Sequence, residues 1–500
     1  MMTPKDRPSR PCLAASACAV ALSLGGPAAA MDADEAERML AEPAFADATV
    51  VLDWSETAIA AALKADGFQT LHSNRAGPMM HLAMHDALNA IVPVYEAFAH
   101  DAAVPDADPV AAASQAAHDV LAAEFPGKAE TFAALHADWL DTVPDGDARD
   151  SGIDLGAEAA ASILAARAGD GHDSEGSFTE GDTPGAYRLT PQHEAAVGTG
   201  WADTEPFAME APDQFRPGPP PAVDSNRYAE DFAEVKRLGA KDSAERTDEQ
   251  THVAHWWAEY STVGYPDFAR DRIAEDGIHL WPAARLFALL AIDNFDALVS
   301  AWDAKYEYAY WRPHTAIHEA DDDGNPATCA DPDWEPEMTT PPHPDYPAAL
   351  STLCAGGAEI LKDAFGSDVP SPAPRAAHPR ACPRRAITTR STRRWRAACS
   401  RASTTASTSA QGWKPGSRWA ATAPPISSTP SSGVGPTPQR KGYPTDAAMP
   451  AAKRLPRRGR HRDASSRWFG RPTQDLRCRR RAISSFPHWH AGSTANNATF

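Results

Sequence analysis

Acidic and aliphatic residues almost vanish from the last quarter of this 500-residue chain. Residues 371–500 hold three Asp or Glu against 25 Lys or Arg, and only six Leu, Ile or Val. Such a segment cannot bury enough apolar surface to offset its ordering entropy, which excludes a folded domain and leaves a disordered basic tail. Cysteine is sparse as well. Of seven, only Cys329 and Cys354 fall between residues 31 and 370, too few for a disulfide framework but open to one pair or two thiols. Alternating apolar and polar runs are scarce, which argues against sheets. No apolar run is long enough to be read as a membrane span.

What is present divides into three parts. Lys5, Arg7 and Arg10 precede a short apolar stretch, Cys12 to Leu24, and Pro27-Ala28-Ala29-Ala30 supplies small residues for cleavage. Residues 1–30 therefore read as a signal peptide, and the mature protein is expected to start near Met31 and to be secreted or periplasmic. Residues 1–370 carry 22 Lys or Arg against 64 Asp or Glu, a net charge of -42, and the remainder carries +22. That acidity fits a soluble domain over residues 31–370 without affinity for nucleic acid. The tail could be a basic arm for an anionic surface, but its cations lie scattered among Trp395, Trp413, Trp419, Trp468 and Trp489 without repeat or stripe. Arg, Ala, Pro and Ser in such excess are what a GC-rich gene yields when read out of frame, and the tail is expected to be such a product.

Within the acidic part the periodicity is helical. Apolar residues recur at helical spacing from Met79 to Ile91, with Gly77-Pro78 as a start signal. Further helices are expected over Pro109 to Glu124, Asp154 to Ala168, Tyr228 to Leu238, Thr247 to Tyr260, Pro282 to Ala301 and Ala348 to Phe365. Loops rich in Gly, Pro and Asp separate them, notably Gly169 to Gly185 and Pro217 to Pro221. The expected fold class is all-α, a helical bundle.

The chemistry lies late. Lys305 and Arg312 stand seven residues apart, two helical turns, and so on one face, with Pro313 ending the helix at Arg312. Two cations framed by Tyr306, Tyr308, Tyr310 and Trp311 suit a tetrahedral oxyanion. Alone the spacing is weak, because most such pairs are solvated. A second element strengthens it: Thr339-Thr340-Pro341-Pro342-His343-Pro344-Asp345-Tyr346-Pro347 leads into the Ala348 helix, whose free N–H groups can bind an anion.

These motifs resemble the vanadium-dependent haloperoxidases and the related type 2 phosphatidic acid phosphatase-like acid phosphatases. The family's Lys-x6-Arg-Pro matches Lys305, Arg312 and Pro313, followed by Thr315-Ala316-Ile317. Asn74-Arg75-Ala76, Ala83-Met84-His85-Asp86-Ala87 and Asn89-Ala90 resemble its N-terminal helix, and Gln214-Phe215-Arg216-Pro217 with Arg246, Thr247 and Gln250 its middle. The likeness runs from about Val51 to Phe365. It implies a bundle of helices holding vanadate or phosphate, with halide and peroxide, or a phosphomonoester, as partners.

Two departures matter. The family's Pro-Ser-Gly-His is Pro347, Ala348, Ala349 and Leu350 here, so a hydroxyl and an acid/base are gone, and Leu350 cannot move a proton. Backbone N–H groups of Ala348 and Ala349 remain for an oxyanion, Ser351 can partly replace the hydroxyl, and His343 is a candidate for proton transfer. The third family motif, Ser-Arg-x5-His, supplies the vanadium-ligating or phosphorylated His, and the written chain lacks it. Reading Ser400 to Ser409 from the third base of each codon allows S-R-V-D-Y-G-I-H-F, and the same offset gives plausible sequence from Gln411 to Trp419 and from Ala423 to Thr429. The shift is expected between about Val369 and Arg390.

Other candidates are weaker. His81 with His85, and His252 with His255, have spacings adequate for a metal but read better as core or pocket-lining residues. Asp321-Asp322-Asp323-Gly324-Asn325 lacks the alternation and closing Glu of a calcium loop and reads as a solvated turn. His314 and His318 are expected at the surface. Three functions stay open: an exported oxyanion enzyme, a non-catalytic oxyanion binder, and a metal-binding hydrolase. No metal ligands are assigned. Resequencing codons 345 to 430 checks the frame: a gained or lost base should expose Ser-Arg-x5-His, and an intact printed frame removes the catalytic reading.

Overall fold

A computed structural model describes residues 47–67, 70–260 and 263–366. The signal-peptide reading, the basic tail and the proposed frame shift all fall outside the described residues.

The chain opens with α1 (Thr49–Ala65), α2 (Leu71–Ile91), α3 (Pro109–Glu124), α4 (Ala129–Leu140) and α5 (Asp147–Ala166). Asp108 caps α3 by accepting from the Val110 and Ala111 N–H groups, and Pro109 takes the first position, where its missing N–H costs nothing. Gly77-Pro78 does not start α2. Thr70 does, accepting from Ser73 N–H, and Pro78 lies inside the helix. One proline removes a single ladder bond, and the burial of almost every α2 residue outweighs that loss. Glycines bring α5 onto α3: a Cβ at Gly156 would sit 2.4 Å from the Ala112 carbonyl oxygen, and one at Gly152 2.6 Å from that of Asp108.

Then come α6 (Asn226–Leu238), α7 (Asp248–Tyr260), α8 (Gly264–Asp276), α9 (Leu280–Tyr308), α10 (Pro313–His318) and α11 (Ala349–Phe365). Among the described residues there is no strand, only isolated bridges at Ala186–Tyr310 and Ala240–Pro336. The all-α expectation holds. Helices α1, α4, α8 and α10 were not expected; α8 is rich in charge and buries only Ala269, Arg270 and Ile273, which leaves little periodic signal. None of the described helices is long and apolar enough to cross a membrane.

The 29-residue α9 is the spine, packing against α2, α8 and α11. Trp281, Phe287 and Phe295 fill the main core, and Trp281 Nε1 donates to the Leu88 and Val92 carbonyls at 3.1 and 3.2 Å. Its buried carboxylates fasten neighbouring segments. Asp296 accepts from the Phe207, Ala208 and Met209 N–H groups at 2.7 to 3.1 Å. Burial pushes its carboxyl up to about 6 despite those amides. Asp293, buried beside Asp296, is raised well above the ordinary carboxylate range and accepts from the Gly357 N–H. Cys329 is disulfide-bonded, whereas Cys354 is a buried thiol in α11, so these two are not joined to each other.

Gly356 is the tightest point of the α9–α11 contact, since a Cβ there would lie 1.7 Å from Asp293 Oδ1. Gly356→Ala should destabilise the fold by roughly 1–3 kcal/mol, seen as a lower denaturant midpoint. An unchanged midpoint would refute this packing.

Candidate functional site

Lys305 and Arg312 do meet, though not by sharing a helix face. Helix α9 stops at Tyr308, and Ala309 takes a left-handed conformation (φ 42°), unusual for a residue with a Cβ. The chain doubles back through Tyr310 and Trp311, and Arg312 is the extended residue that starts α10. Proline at 313 holds Arg312 out of the helical region, as expected, but it begins a helix rather than ending one. The reversal returns the guanidinium toward the Lys305 turn.

Both cations close on the Pro-rich loop. Lys305, 1% exposed, donates through Nζ to the Pro344 and Asp345 carbonyls at 2.7 and 2.9 Å. Arg312 donates from Nε to the His343 carbonyl at 2.6 Å, from one terminal nitrogen to Asp345 Oδ1 at 3.2 Å, and from the other to His343 Nδ1 at 2.7 Å. The Asp345 N–H donates to the Tyr310 carbonyl at 2.9 Å, completing a short loop of mutual contacts. An ammonium has three hydrogens and a guanidinium five. With a further contact from Arg312 to His343 Nε2 at 3.3 Å, these bonds leave one hydrogen on Lys305 and one on Arg312 uncommitted.

Electrostatics follow from burial. Desolvation, then the neighbouring Arg312, lowers Lys305 to about 7, with Asp345 opposing. His343 falls to about 2, through desolvation first and then Lys305 and Arg312. Its neutral ring lies 4.8 Å from Trp302. A base that weak accepts protons poorly near neutral pH.

The α11 start joins the same stretch of α9. Ala348 is its extended N-cap with no side-chain cap, and Ala349 packs against the cluster of Leu298, Ala301, Trp302 and Leu353. Ser351 lies in the first turn, its N–H bonded to the Ala348 carbonyl at 3.0 Å. Leu350 is 40% exposed. The loop before α6 adds residues that the motifs did not reveal: Val197 N–H donates to the Pro342 carbonyl at 2.9 Å, His193 Nε2 to Thr340 at 2.7 Å, and Tyr306 Oη to the Val197 carbonyl. Only the length and Gly/Asp content of that loop hinted at such a role.

The remaining candidates disperse. The His81 ring stacks 5.2 Å from Phe287, whereas His85 engages Asp86 and Asn89. His255 Nε2 pairs with Glu337 at 2.9 Å. Among the described residues, no three His, Cys, Asp or Glu side chains stand together as a metal site. His314 is buried, not exposed, with its ring 4.1 Å from that of His318, because the short α10 is tucked under Trp311 and Trp334. Asp323 is likewise no solvated turn: it is buried and accepts from the Asn325 N–H and the Thr328 hydroxyl. Asn325 in turn holds the Val223 carbonyl at 2.8 Å.

Comparison with known proteins places this geometry. Residues 285–412, which contain both cations and the Pro-rich loop, match the family described as the VCPO second helical-bundle domain. Over that stretch, about a quarter of the chain, the sequence is similar to the vanadium haloperoxidases. An 85-residue stretch is 38% identical to the vanadium chloroperoxidase of Curvularia inaequalis, covering 15% of this chain but only 13% of that protein. The fold resembles that of the first bacterial vanadium-dependent iodoperoxidase with a TM-score of 0.54 and 19% identity, over 63% of this chain and 82% of that one. The superfamily motifs quoted above occupy fixed places. Arg216 grips Asp303, two residues before Lys305, at 2.6 and 2.7 Å, and Arg246 bonds Glu337 and the Leu238 and Ala240 carbonyls.

Because Lys305 titrates near 7 while His343 stays neutral, anion binding should strengthen as pH falls. Sulfate, whose charge is constant over this range, should bind about tenfold tighter at pH 6 than at pH 8. Calorimetry on the wild type and on Lys305→Met checks this: the variant should show a flat profile, and a flat wild-type profile would contradict the assignment.

Proposed function

We propose that this protein descends from an exported vanadate- or phosphate-type oxyanion enzyme, with halide oxidation by peroxide as the favoured ancestral reaction and phosphomonoester hydrolysis as the second. One observation carries the oxyanion reading: Lys305 and Arg312 converge from opposite ends of a chain reversal, with uncommitted N–H groups, on the loop that leads into α11. The preference for halide rests on the relatives, which are named a chloroperoxidase and an iodoperoxidase.

The described residues fit a bound oxyanion but not a complete vanadate centre. Bound vanadate supplies a Lewis-acidic centre that activates peroxide, and the superfamily ties it to a histidine nitrogen. Leu350 replaces one expected His, and among the described residues the histidine on the cations, His343, is engaged by Arg312. The polypeptide as written is therefore proposed to bind a small oxyanion without turnover. Lys305 and Arg312 supply its charge neutralisation, and the α11 start supplies backbone donors.

The test supplies the purified chain with orthovanadate, peroxide and chloride, bromide or iodide, and separately with a phosphomonoester. Neither reaction should exceed background. A chain with the frame restored and Leu350→His should oxidise halide at least roughly 10²-fold faster, the usual worth of a positioned acid/base. Turnover by the printed chain would overturn the inactivity, and phosphomonoester turnover alone by the restored chain would favour the second reading.

A further inference from the structure

Tyr187 was flagged by no motif. It is 1% exposed, yet its phenolic oxygen is buried without a hydrogen-bond partner. Buried hydroxyls are nearly always paired, so an orphan calls for an account. Its position is fixed by the backbone. Tyr187 N–H donates to the Ala309 carbonyl at 2.7 Å, Ala186 bridges Tyr310 in antiparallel fashion, and Trp311 N–H donates to the Gly185 carbonyl at 3.0 Å. Residues 185–187 thus run alongside 309–311, the stretch that carries the chain from Lys305 to Arg312.

The ring environment points the same way. The Tyr187 ring lies 5.3 Å from Phe178, which lies 5.6 Å from Tyr306, the residue after Lys305. Burial raises the phenol to about 12, with Arg312 opposing and Glu180 reinforcing, so the group is a protonated donor at neutral pH. A hydroxyl donor is missing from the motif position, because Ala348 stands where the superfamily motif has a serine.

We infer that Tyr187 donates its phenolic O–H to the same tetrahedral oxyanion that Lys305 and Arg312 hold, in place of the hydroxyl absent at Ala348. The inference rests on the oxyanion-binding reading above.

Inorganic phosphate is titrated calorimetrically into the full chain and into Tyr187→Phe and Arg312→Ala. Tyr187→Phe should weaken binding about ten- to hundredfold, the value of one hydrogen bond to a charged partner. Its melting temperature should hold, since the hydroxyl has no protein partner to lose. Arg312→Ala should abolish binding. If Arg312→Ala binds like wild type, or wild type does not bind, the oxyanion reading itself fails. If Arg312→Ala abolishes binding but Tyr187→Phe does not weaken it, only the Tyr187 assignment is overturned. A measurement on wild type avoids any folding defect of the variant: the Tyr187 ¹³Cζ resonance should shift on phosphate addition, and a stationary resonance overturns the assignment.

Discussion

The buried ammonium of Lys305 is the contact on which the rest of the candidate site depends. It sits at the end of the long α9, and its donors reach the Pro344 and Asp345 carbonyls of a loop with few ladder bonds of its own. A loop with four prolines in nine residues cannot secure itself by backbone pairing, because proline brings no N–H. Lys305 and Arg312 do that work from outside. The same two cations therefore fix the loop and present the remaining positive charge, and both roles require Lys305 to be dry. Burial in turn brings its proton affinity near neutrality, which ties the charge of the site to ambient pH.

Helix α9 repeats this arrangement along its length. Asp293 takes the Gly357 amide of α11, Asp296 takes three amides of the 207–209 segment, and Asp303 takes Arg216. Asp296 and Asp303 thus pin irregular segments that could not find partners within themselves, and Asp293 ties down the neighbouring helix. The spine thereby turns loops into walls. Glycine completes the fit where α11 passes closest, since only a residue without Cβ leaves room for the Asp293 carboxylate at 356.

Much of this was legible in the sequence, and the failures have physical causes. The α3 boundaries follow directly from Asp108 and Pro109, a cap and a first-turn proline. The cation pair was found from its spacing, but for the wrong geometric reason: a left-handed Ala309 makes the reversal, and a non-glycine in that conformation leaves no sequence mark. His314 and Asp323 were expected at the surface because short polar segments usually are, whereas tertiary packing under Trp311 and Trp334 buries α10. Tyr187 was invisible because its relation to Arg312 spans more than a hundred residues and is set by an isolated bridge, not by periodicity. The superfamily resemblance supplied what spacing could not, including the recognition that Ala348 and Leu350 depart from the pattern.

Lys305 holds the Pro-rich loop in place through the Pro344 and Asp345 carbonyls. Amide hydrogen exchange at Asp345, whose N–H bonds the Tyr310 carbonyl, measures this directly in wild type and Lys305→Met. Loss of the ammonium grip should raise the exchange rate about tenfold or more, the effect of removing charge-assisted bonds. Unchanged protection at Asp345 would mean that the loop is held by other contacts, and that Lys305 does not organise the site.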